Sequence, residues 1–60
     1  MSTRQALESE ARECRDLAKS GRRIAGTLNL EADRQRLLQF VVELEQRADR
    51  LETQAADLPR

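Results

Sequence analysis

Leu37-Leu38-Gln39-Phe40-Val41-Val42-Glu43-Leu44 is the most apolar run of the chain, and its surroundings decide how it folds. Leucine recurs every seven residues through it and beyond, at Leu30, Leu37, Leu44, Leu51 and Leu58. Four residues after the first four of these come Arg34, Val41, Ala48 and Ala55. Alternating steps of three and four gather on one side of an α-helix, whereas a strand would alternate every two. The spacing predicts a helix over about residues 30–57. Working back toward the N-terminus, Leu7, Cys14, Gly21 and Leu28 repeat every seven, as do Ala11, Ala18 and Ala25. That second stripe predicts a helix over about 3–25, with small residues that allow close approach of a partner helix.

Between them, residues 26–29 carry turn chemistry. Gly26 is expected in the left-handed conformation that closes a helix. Thr27 or Asn29 is expected to cap the next helix with a side-chain oxygen. Glu31 and Asp33 then suit the positive end of the second helix, and Lys19, Arg22 and Arg23 the negative end of the first. Ser2 with Gln5 reads as a capping box, and Pro59 as a stop. A short joint makes the helices antiparallel neighbours, so residues 1–60 form a single all-α helical hairpin. Folding about that joint sets Ala25 at the level of Leu30, Ala18 against Leu37, Cys14 against Val41, Ala11 against Leu44, and Leu7 against Ala48. Glu10 comes near Arg47 and Arg22 near Glu31. Ala55 and Leu58 overhang the shorter helix.

Size then limits the hairpin. The chain has 60 residues, with eleven basic and eleven acidic side chains and no histidine. A chain this short is marginal unless a disulfide, a metal or another chain supports it. One cysteine, Cys14, makes no internal disulfide, and without histidine the usual zinc ligand sets are missing. Oligomerisation or a partner protein is the remaining support. The apolar residues of 37–44 span an arc of roughly 200°, where packing on one neighbour uses a little over about 100°. Leu17 and Ile24 add to the excess on the first helix. The expected oligomer interface therefore comprises Leu17, Ile24, Leu37, Leu38, Phe40, Val41, Val42, Leu44, Leu51 and Leu58. An antiparallel four-helix homodimer is the expected assembly, with a higher assembly or another protein's helices as alternatives.

Other classes of function find little to stand on. No apolar run approaches the roughly 20 residues of a membrane helix. The N-terminal residues lack the apolar core of a signal peptide, and a lone reduced cysteine fits the cytoplasm. The serines have no base partner, and neither a glycine-rich phosphate loop nor a tyrosine is present, so no catalytic residues, metal site or cofactor are predicted. Cys14, on the stripe, reads as a small buried hydrophobe. Arg34 occupies a stripe position and is expected either to fix register or to snorkel outward.

Two charged flanks complete the reading. Arg12, Arg15, Lys19 and Arg22 line one side of the first helix at spacings of three and four, a candidate track for nucleic-acid phosphates. Glu45, Asp49 and Glu52 form an acidic flank on the second, read as a solvated face or a dock for a basic surface. Zero formal net charge and a single aromatic, Phe40, weigh against nucleic acid as the principal partner.

Ala11-Arg12-Glu13-Cys14-Arg15-Asp16-Leu17-Ala18 has the form A-x-E-C-x-x-L-A. With Arg36-Leu37-Leu38 and Leu44-Glu45-Gln46-Arg47-Ala48, it resembles a group of small proteobacterial helical-hairpin proteins. That resemblance implies the fold and carries no activity. In size and layout the chain is also similar to the ROP-type RNA-binding hairpin dimers, although no RNA-contacting motif matches residue by residue. The expected function is a non-catalytic protein–protein interaction module: a small regulator, adaptor or assembly subunit. A nucleic-acid-binding hairpin dimer is the alternative.

Overall fold

The computed structural model describes residues 3–59. Two helices, α1 (Arg4–Ala25) and α2 (Glu31–Asp57), pack side by side as an antiparallel hairpin with principal extents of 48 × 15 × 13 Å. No strand occurs among the described residues.

The helix ends differ from the expected caps. Thr3 is the N-cap of α1, and its hydroxyl oxygen accepts from the Ala6 N–H at 3.0 Å. The capping box expected at Ser2 lies outside the described residues. Gly26 is right-handed, at φ −65° and ψ −16°, rather than left-handed. The last carbonyls of α1 are instead closed by a tightened turn. Thr27 N–H donates to Ile24 O at 2.9 Å and Leu28 N–H to Ala25 O at 3.2 Å. The Thr27 hydroxyl also donates to Ile24 O, so it serves the end of α1 and not the start of α2.

Leu30 is the N-cap of α2, without a side-chain cap bond. Arg34, from its stripe position, braces the turn instead: its guanidinium donates to Leu28 O at 2.8 Å and to Glu31 at 3.1 Å. At the opposite end Arg4 reaches across the chain, donating to Ala55 O at 3.1 Å and Leu58 O at 2.7 Å. Leu58 O is thereby satisfied, and Ala55 O gains a second donor beside the Leu58 N–H.

The seam follows both stripes but in a different register. A Cβ on Gly21 would lie 2.6 Å from Val41 Cγ2, so Gly21 meets Val41, which is completely buried. Leu7, Ala11 and Cys14 cluster with Ala48, Leu51 and Ala55, against which Leu44 and Leu58 pack. Relative to the expected pairs, α2 has moved by one heptad: Cys14 is level with Ala48, not Val41. A seven-residue repeat is unchanged by a shift of seven, so the stripes cannot choose between the two registers. Bulk and turn length choose. Only Gly21 leaves room for Val41, and a joint of residues 26–30 carries α2 past Leu30, which is left 66% exposed. The expected overhang is consequently absent: Ala55 is 3% exposed and Leu58 is packed.

Candidate interaction faces

The long charged side chains mark two opposite faces of the hairpin. On the first, Arg15 donates to both Glu52 oxygens at 3.0 and 2.6 Å and to Asp49 at 2.7 Å. One heptad nearer the turn, Arg22 donates to Glu45 at 3.2 and 2.6 Å. These are forked guanidinium–carboxylate pairs, the geometry that best fits both groups. The hydrogen bonds to Glu52 and Asp49 raise the Arg15 pKa above its ordinary value. The bond from Arg15 in turn holds the Glu52 carboxyl below its ordinary value of 4.5.

This ladder answers both charged flanks read from the sequence. The acidic flank, Glu45, Asp49 and Glu52, binds the hairpin's own cations. Of the basic stripe, Arg15 and Arg22 are engaged, while Arg12 and Lys19 form no ion pair among the described residues. Arg22, expected near Glu31, pairs with Glu45 because of the register shift, and Glu31 pairs with Arg34.

The other face begins with one ion pair and continues apolar. Arg47 donates to Glu10 at 2.7 Å, as the sequence pairing anticipated, and this bond raises the Arg47 pKa. Positions seven apart recur on the same side of a helix. One heptad nearer the turn, the places of Glu10 and Arg47 are taken by Leu17 and Phe40. The next heptad on α1 brings Ile24. Leu17, Ile24 and Phe40 are 57%, 50% and 52% exposed. The face thus has a charged layer, then an apolar layer, then Ile24 with Asp33 near the turn.

The ten residues expected at an oligomer interface do not form one surface. Val41 and Leu51 are buried within the hairpin's own seam. Leu37, Leu44 and Leu58 are half-buried along it. Leu17, Ile24 and Phe40 share the apolar face. Leu38 and Val42, seven and three residues before Glu45, fall on the ion-paired side of α2. Leu38 lines a shallow depression there with Arg22, Ala25, Gly26 and Arg34. Two further depressions on that side are lined mainly by charged groups, among them Glu8, Arg12, Arg15 and Asp16.

Cys14 is buried on the seam. Among the described residues, no cluster of three or more His, Cys, Asp or Glu is placed to hold a metal ion. No helix is long and apolar enough to cross a membrane. No protein-family model, curated protein or solved structure matches the chain.

Sequence reasoning missed Thr3 and Arg4 as capping residues and the pairing of Arg15 with Asp49 and Glu52. The last of these follows at once when α2 is moved by a heptad. Nothing in the local sequence signals Arg4, whose acceptors lie at the far end of the chain.

Proposed function

We propose that this chain is a non-catalytic protein–protein interaction module that works as a homodimer, two hairpins joining through their apolar faces into a four-helix bundle. The supporting observation is the contrast of faces. One carries the hairpin's own arginine–carboxylate ladder with Val42 exposed beside it, and the other leaves Leu17, Ile24 and Phe40 about half exposed. Three large apolar side chains on one side of so small a molecule are the mark of an association surface.

Sedimentation equilibrium of the wild type and of Phe40→Asp tests this. The expected result is a wild-type dimer at micromolar concentration and a Phe40→Asp monomer. A wild-type monomer at every concentration would sink the self-association. Stoichiometric co-purification of a different helical protein would keep the interaction role and change the partner.

Nucleic-acid binding is a second reading, supported only by Arg12 and Lys19, the stripe cations outside the ladder. It predicts a salt-sensitive mobility shift of RNA or DNA near ~50 mM salt that Arg12→Glu with Lys19→Glu abolishes.

A further inference from the structure

The outer side of α2 carries a further heptad row, turned away from α1 and from the apolar face. Residues 32, 35, 39, 42, 46, 49, 53 and 56 step along it by three and four, all are exposed, and Asp49 is the only charge among them. The outer row of α1 is built differently, with Arg12, Asp16, Lys19 and Arg23 in it. In a chain that is 37% charged, so neutral an outward face, with Val42 42% exposed on it, is suited to another helix. We infer that this row packs on the same row of a second copy, the two α2 helices lying antiparallel about a two-fold axis, as a contact separate from the apolar face.

The hairpin's own seam supplies the template. There the level of Gly21 and Val41 is flanked by Arg22–Glu45, and that of Cys14 and Ala48 by Arg15–Glu52. Each flanking pair lies one residue beyond the first seam residue and four beyond the second. On the outer row, Val42 opposite the partner's Gln46 is then flanked by Glu43 and the partner's Arg50. Gln35 opposite the partner's Thr53 is flanked by Arg36 and the partner's Asp57. With their two-fold mates these are four contacts of opposite charge. Glu43, Arg50 and Asp57 form no ion pair among the described residues, and Arg36 reaches only Asp33, at 4.0 Å, so this flank is free to serve another molecule. On the other flank Leu38 meets the partner's Glu45, and Glu31 the partner's Glu52, acids already held by Arg22, Arg34 and Arg15 of their own chains.

Competing alignments set like charges together, which rejects wrong pairings. Sliding by one heptad brings Arg50 to the partner's Arg50 and Glu43 to the partner's Asp57. Sliding the other way brings Glu43 to the partner's Glu43 and Arg36 to the partner's Arg50. The parallel alignment makes as many contacts of opposite charge, but through Glu31 and Glu45, which their own arginines already hold, and it stacks Asp49 on the partner's Asp49 within the row. The 27 residues of α2 extend about 40 Å, so a contact one helix wide covers on the order of 400 Å² per partner, about half that of a stable interface. The contact is therefore weak, and it joins dimers formed through the apolar face into larger assemblies.

Sedimentation equilibrium carried up to ~1 mM, the range of so small an interface, tests this on the wild type and on Leu17→Asp, which charges the apolar face without touching α2. Leu17→Asp should be monomeric at micromolar concentration and dimerise toward the top of the range, where the wild type should pass beyond the dimer. Adding either Glu43→Arg or Arg50→Glu to Leu17→Asp turns two contacts of opposite charge into like ones and should weaken that step about tenfold. An equimolar mixture of the two, or one chain carrying both changes, regains opposite charges throughout the free flank and should associate like Leu17→Asp itself. Equal association of all the charge variants overturns the antiparallel alignment. A Leu17→Asp that stays monomeric beside a wild type that stops at the dimer overturns the contact and leaves the proposed function standing. A wild type that is monomeric at micromolar concentration and dimerises only near the top of the range, with this charge dependence, supports the contact and overturns association through the apolar face.

Discussion

The two faces of this hairpin are built from the same heptad rows yet do opposite things with them. On one, the rows hold Arg15 and Arg22 against Glu52, Asp49 and Glu45, pairing those charges within the chain. On the other, the rows hold one ion pair, Glu10–Arg47, and then change to Leu17, Ile24 and Phe40. Exposed ion pairs contribute little net stability, because they are solvated and screened. Exposed apolar groups carry a standing incentive to be covered, about 25 cal/mol per Å² removed from water. The ladder therefore finishes a surface, and the apolar face leaves one open. What separates them is the chemistry at a few positions of one repeat, not the backbone.

Breaking the seam should have the largest effect, because both faces depend on it. Val41 is completely buried between the helices. Val41→Asp places an unpaired charge there, at a cost of about 3–5 kcal/mol, and should abolish the helical circular-dichroism signal at all concentrations. Phe40→Asp, one residue away, should instead convert dimer to monomer. Its helical signal should persist, independent of concentration, below the melting point, since the seam is untouched. Equal loss of structure in both variants would erase the distinction between seam and face.

Gly21→Ala sharpens the seam more gently. The new methyl meets a β-branched, fully buried Val41 at 2.6 Å, and overpacking of this kind costs about 1–3 kcal/mol. Alanine's better helix propensity returns about 1 kcal/mol. A lower thermal midpoint is expected, partly restored by Val41→Ala in the same chain. A raised midpoint would mean that the helices separate freely at this level.

Changes on the ladder should matter least. Arg15→Gln should shift the midpoint only slightly at physiological salt, and more at low salt. Acid titration reads the same contact. The Glu52 carboxyl is held below 4.5 in the folded chain, so its stabilising contribution is complete above that value and is lost as pH falls through the lower, folded value. The wild type should lose stability on acidification below about pH 4.5, and Arg15→Gln should lose less over that interval. Identical acid profiles would remove Arg15 as the cause.

Much of this architecture is legible in the amino-acid order. The leucine and alanine rows give both helices to within a residue or two, and Gly26 marks the joint. The pairing of Glu10 with Arg47 is also readable, because long side chains reach over a range of levels. The register is not, since a heptad stripe matches itself after a shift of seven and the decision passes to one missing methyl at Gly21. With the register went the ladder and the apparent overhang. The breadth of the apolar run 37–44 is correctly read as an excess. Its division among seam, apolar face and ion-paired side depends on where the neighbouring helix sits, which composition alone does not supply.

Arg4 joins the first turn of α1 to the carbonyls of Ala55 and Leu58, the last that α2 exposes. The start of α1 and the end of α2 are thus latched to each other, and fraying at one becomes fraying at the other. Amide protons at the start of α1 and those at the end of α2 should exchange with solvent together, as one unit.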